Sequence, residues 1–128
     1  MSFNWNDLLV LAVKLASPED ACVCKEACHR SSISRAYYSV FVQVRAKMRL
    51  VKGKNYDGSG CHGELLEDLK TMGTINSANL HAIMKTLKDY RVYADYKAKL
   101  PDPDSKSLAD TQVAAANKAL IYLKDLNT

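Results

Sequence analysis

The chain has 128 residues, 48% of them hydrophobic and 25% charged, and a formal net charge of +4. That composition suits one globular, soluble domain over 1–128, able to bury a core without metal or disulfide support, and its mild positive charge favours a polyanionic partner without demanding one. No apolar run approaches the roughly 20 residues that cross a bilayer, and the N-terminus lacks the basic-then-apolar layout of a secretory signal, so a cytoplasmic protein with no membrane partner is expected.

Asn4 or Asn6 is placed to cap a first helix running to about Ala16, with Leu8, Leu9, Leu11, Ala12 and Leu15 as its apolar side. Ser17-Pro18-Glu19-Asp20 then offers a cap, a proline at the first helical position and acids for the first turn, so a long second helix is expected to start there. Its stripe runs through Ile33, Tyr37, Val40, Val44, Met48 and Val51 until Gly53 stops it. The glycine-rich stretch from Lys52 to Cys61 predicts a mobile loop. A third helix follows His62, using Leu65, Leu66, Leu69 and Met72 and ending at Gly73. Asn76 or Ser77 is expected to cap a fourth, whose buried side is Leu80, Ile83, Met84, Leu87, Tyr90 and Ala94. Pro101-Asp102-Pro103-Asp104 breaks the chain before an alanine-rich fifth helix from about Ser105 to Leu126. No alternating strand pattern competes, and the expectation is an all-α, compact bundle of about five helices, mostly antiparallel.

Cys22, Cys24, Cys28 and Cys61, with His29 and His62 beside two of them, raise the question of zinc. On a continuous helix Cys22 and Cys24 stand about 200° apart, and the paired two-residue spacing of a zinc ribbon is absent. Free thiols, no metal site and no cofactor are the expectation, and reduced cysteines agree with a cytosolic address.

The unusual polarity lies elsewhere. Arg30, Ser34, Tyr38, Phe41 and Arg45 recur at three- or four-residue steps, forming a second face on the long helix, with Arg35 between the faces. Rings beside guanidinium groups can sandwich a base while the cations meet phosphate, which points to a nucleotide or single-stranded RNA. Alternatively the tyrosines fill a bundle seam and the arginines pair with acids of another helix, and spacing alone favours that account. Arg91 lies four residues before Asp95 and four after Leu87 of the buried stripe, so its charge needs a partner, in Asp95 or across an interface. The run Arg45, Lys47, Arg49, Lys52 and Lys54 has the makings of a phosphate guide, but cations at a helix C-terminus are sufficiently explained by the helix dipole.

Three segments together carry a resemblance. Arg30-Ser-Ser-Ile-Ser-Arg-Ala-Tyr-Tyr-Ser-Val-Phe41, the isolated His62-Gly63 after a glycine-rich loop, and Leu87-Lys88 followed by Arg91 and by Ala94-Asp95-Tyr96 resemble an uncharacterised prokaryotic branch of the HEPN superfamily, from about Trp5 to the final helix. The resemblance implies a dimerising helical bundle that binds a nucleotide or RNA in a toxin–antitoxin or defence module. A nucleotidyltransferase is the partner protein beside which several members act. It implies Arg30, Arg35, Tyr38, Arg91, Asp95, Tyr96 and His62 as ligand-binding candidates. Arg91 would contact phosphate or organise the dimer, Asp95 would orient Arg91, and Tyr38 or Tyr96 would stack or donate hydroxyl hydrogen bonds.

The ribonuclease members place a histidine four to six residues after the motif arginine. Here alanine and aspartate occupy that region, and an ionised aspartate is a poor proton shuttle near neutral pH. Whether the chain is an enzyme therefore turns on His62: it either swings toward Arg91 or, as its position favours, contacts the loop backbone at the start of the third helix. The rival readings are a metal-independent HEPN ribonuclease and a non-catalytic dimeric interaction module.

Overall fold

A computed structural model describes residues 3–126, which form five helices: α1 Asp7–Ala16, α2 Lys25–Lys52, α3 Cys61–Thr71, α4 Ile75–Tyr96 and α5 Ser105–Lys124. Among the described residues there is no strand, and no helix is long and apolar enough to cross a membrane. The chain is thus an all-α bundle, as the periodicity predicts.

α2 is the central column, packed against α1, α4 and α5, while α3 leans on α4. Polar contacts fix the directions. Ser32 Oγ donates to Ala12 O (2.6 Å) and Ser39 Oγ to Trp5 O (3.4 Å), so α1 runs antiparallel to α2. Arg30, early in α2, reaches the end of α4, and Asn76, early in α4, donates to Asp125 O after α5, so those pairs are antiparallel as well. His29 meets Ser105 at the start of α5 (2.7 Å), which makes α2 and α5 the parallel pair.

The main core gathers Tyr37, Val40, Val44 and Met48 of α2 with Leu9, Leu65, Leu69, Leu80, Met84 and Leu87. Ala116 and Ala119 let α5 approach closely. A smaller cluster of Ala16, Ile33, Ala94, Leu108 and Ala109 closes the end where α2 begins.

Two boundaries and one buried face differ from the sequence reading. The long helix starts at Lys25, not at Pro18: 17–24 is irregular, with Cys24 as N-cap. Ser17 is instead the C-cap of α1; Val23 is fully exposed, and no buried apolar side chain follows at helical spacing until the true helix begins. α4 is capped by Thr74, whose hydroxyl accepts from Ser77 N–H (3.0 Å) while the Ser77 hydroxyl accepts from Thr74 N–H (3.1 Å), a reciprocal box that makes Ser77 the third helical residue instead of the cap. On α1 the buried residues are Leu9, Ala12 and Ala16, leaving Leu11 exposed with Val10 and Val13.

Gly53 does end α2, at φ +68°, a value that costs a side chain strain, and its N–H bonds Arg49 O (3.0 Å). The loop beyond it is tied down at its centre. Tyr56 is buried, its hydroxyl donates to Asp68 on α3 (2.7 Å), and Lys54 pairs with the same carboxylate (3.0 Å). Arg49 holds Asn55 O and Asp57 across the loop. Two cations of the basic run are thereby spent on loop structure.

Candidate functional site

The site forms where the middle of α2, the start of α3 and the end of α4 meet. α2 contributes Tyr37, Tyr38, Phe41 and Arg45, successive turns of one face. α3 brings His62, its second residue, and α4 brings Arg91, Asp95 and Tyr96.

Arg91 is the centre. It is only 9% exposed, yet its Nε is buried with no hydrogen-bond partner. Its guanidinium carbon lies 5.4 Å from the Tyr37 ring centroid, 5.5 Å from Tyr38 and 5.9 Å from Tyr96, so three aromatic rings surround the charge. Asp95, one turn on, is 3.8 Å from Nη1, an ion pair too long for a hydrogen bond, and its Oδ2 accepts from Ser34 (3.2 Å). The carboxylate therefore balances part of the charge without using up the arginine's donors.

His62 does not contact the loop backbone in the way its place at a helix start suggests. Its ring lies against Phe41 (centroids 4.0 Å, planes 9° apart), and its Nδ1 is hydrogen-bonded to the Tyr37 hydroxyl. Tyr37 is fully buried, and burial raises its phenol above the ordinary tyrosine range, so the phenol keeps its proton. A phenol is the better donor and a neutral imidazole nitrogen the better acceptor, which assigns the bond as Tyr37 O–H to Nδ1 and leaves Nε2 carrying N–H. Among the described residues that nitrogen has no hydrogen-bond partner, and it is not one of the buried unpaired atoms. Burial, then the Arg91 guanidinium, with Lys88 and Arg45 behind it, holds His62 below its usual value. The charges acting on this imidazole are all positive.

Arg45 stands over Phe41 at 5.1 Å with its own Nε buried and unpaired. Tyr38 is half-buried beside Arg91, whereas Tyr96 is 73% exposed. Arg35 is exposed on α2 three residues before Tyr38, with no hydrogen bond or ion pair to any described residue.

Arg30 lies apart. Its Nη1 donates to Ala94 O (3.2 Å) and Lys97 O (2.6 Å), its Nη2 to Ala98 O (2.9 Å), and its Nε pairs with Glu26 (3.1 Å). It closes the C-terminus of α4, where a cation meets unpaired carbonyls and the negative end of the helix dipole. Of the residues singled out in the sequence, the fold thus gathers Tyr38, His62, Arg91, Asp95 and Tyr96, leaves Arg35 at the margin, and commits Arg30 to capping.

The sequence pattern assigns Tyr37 to the core stripe alone and Phe41 and Arg45 to the face of rings and guanidinium groups that can sandwich a base. A tyrosine at a fully apolar position was the available signal, because a buried hydroxyl needs a partner. The chain matches no protein-family model, no curated protein and no solved structure.

Proposed function

We propose that this chain binds a nucleotide or RNA at the Arg91–His62–Tyr38 site, as a HEPN-like homodimer of a toxin–antitoxin or defence module. One observation supports the reading: three helices bring a buried arginine whose Nε is unpaired and a solvent-reaching imidazole N–H together amid further cations, with Asp95 as the ion-pair partner of Arg91. An anionic ligand relieves that excess. Phosphate accepts from Nε2–H of His62 and from the guanidinium of Arg91, while the exposed Tyr96 ring offers a base a stacking surface and Arg35 a second cation.

A second reading, metal-independent RNA cleavage, is supported by the proximity of His62 to Arg91, since this supplies from α3 the imidazole that the Arg91 segment lacks. Against it stands the tautomer. With Tyr37 donating to Nδ1, Nε2 holds a proton where a general base needs a lone pair.

The test is fluorescence anisotropy of a labelled single-stranded RNA, with adenine nucleotides as competitors, at two salt concentrations. Binding that weakens with salt is expected. Tyr96→Ala should cost about 1–3 kcal/mol of binding, the worth of a stacked base, and Arg35→Ala should reduce the salt slope. Both side chains are exposed, so folding survives either change. Equal affinity in wild type and both variants contradicts the site. RNA cleavage without metal that is lost in His62→Gln, with binding kept, supports the second reading over the first.

A further inference from the structure

Three of the four cysteines converge at the end of the bundle where α2 begins. Cys22 sits in a turn closed by its N–H to Glu19 O (2.9 Å), Cys24 is the N-cap, and Cys28 lies one turn into the helix, its N–H bonding Cys24 O (3.1 Å). Cys22 Sγ is 3.5 Å from Cys24 Sγ and 3.9 Å from Cys28 Sγ, and all three sulfurs lie within 4.8 Å of one another. The separation of about 200° between Cys22 and Cys24 holds only on a continuous helix. Because 17–24 is not helical, that argument against a ligand set fails.

The spacing of the sulfurs matches a shared ion. A tetrahedral zinc with bonds of about 2.3 Å sets its thiolates about 3.8 Å apart, between the two measured separations. The site is at the N-terminus of a 28-residue helix, whose partial positive charge favours anionic ligands, and Lys25 adds a full one beside it.

We propose that Cys22, Cys24 and Cys28 form a three-thiolate site for a thiophilic d10 cation, zinc(II) first, with the fourth position open to water or an added ligand. Binding releases three S–H protons to solvent and forms three metal–sulfur bonds, with no change of oxidation state. No other His, Cys, Asp or Glu among the described residues joins the group, and the Nδ1 of the adjacent His29 is committed to Ser105. The bound ion would fasten the 17–24 segment to the start of α2, beside the Arg30 cap.

The experiment titrates reduced, metal-free, full-length protein with cadmium(II), reading the thiolate-to-cadmium absorption, and then displaces it with zinc(II). The expected result is saturation at one ion per chain, displacement by zinc, and a zinc-dependent rise in melting temperature. Cys28→Ser and Cys24→Ser should each weaken binding by at least about tenfold, whereas Cys61→Ser should leave it unchanged. Serine is itself a good N-cap, so Cys24→Ser keeps the helix start and isolates the ligand effect. Absence of the absorption, or titrations of both cluster variants that match wild type, would overturn the proposal. So would a disulfide between two of the three, seen by mass spectrometry, that forms equally fast with and without zinc.

Discussion

Tyr37 fills the core with its ring and fixes His62 with its hydroxyl, and the chemistry of the site depends on that second task. The bond from Tyr37 favours the neutral imidazole, so Tyr37→Phe should raise the His62 pKa toward the ordinary value near 6.5, read by NMR titration of the ring carbons. A fall instead would mean that Tyr37 accepts and that Nε2 is a free base. Burial also lowers His29, so both histidines stabilise the fold fully above the unfolded value of about 6.5 and lose that contribution as pH drops through their folded values. Urea midpoints should decline from pH 7 to pH 5, and His29→Gln with His62→Gln should flatten that decline. A slope unchanged by the pair would contradict the assignment. The need of Arg91 for a partner was legible in its spacing from Leu87 and Asp95, since both lie on its own helix. The position of His62 was not, because its partners come from α2 and its own element gives no hint of which way its ring turns.

At the scale of elements, helix ends decide more than helix middles. Arg30 satisfies carbonyls of Ala94, Lys97 and Ala98 that no helical N–H can reach. Its replacement by alanine should cost about 2–3 kcal/mol, in line with charge-assisted bonds in a mostly buried setting, while Lys118→Ala, at an exposed position of α5, should stay within about 0.5 kcal/mol. Denaturant melts measure both, and equal losses would refute the capping role. Tyr56→Phe should cost about 1.5–3 kcal/mol, because it strips a buried hydroxyl from an ionised Asp68. The middles of α2 and α4 were readable from their apolar stripes. The start of α2 was misread because Ser17-Pro18-Glu19-Asp20 has every local mark of a helix start, and what excludes it is the lack of anything for residues 18–24 to bury.

On the scale of the whole molecule, the polar faces of α2 and α4 meet within one chain, so a homodimer would have to form elsewhere. Trp5, Val10 and Val13 expose an apolar row near and along α1, the surface on which the proposed homodimer is tested. Light scattering at micromolar concentration should give twice the chain mass, and Val10→Lys should return it to one; a monomer throughout would contradict the dimer. The bundle itself was legible because buried stripes obey one helical period. The meeting of α2, α3 and α4 at one arginine was not, since it depends on how three helices pack. Whether this meeting point receives phosphate is read by an NMR titration of labelled protein with a short single-stranded RNA. Saturable shifts of the His62 ring, the Arg91 Nε–H and the Tyr38 and Tyr96 rings are expected. Saturable binding that leaves those four residues unmoved, or no binding at millimolar RNA, would contradict the site.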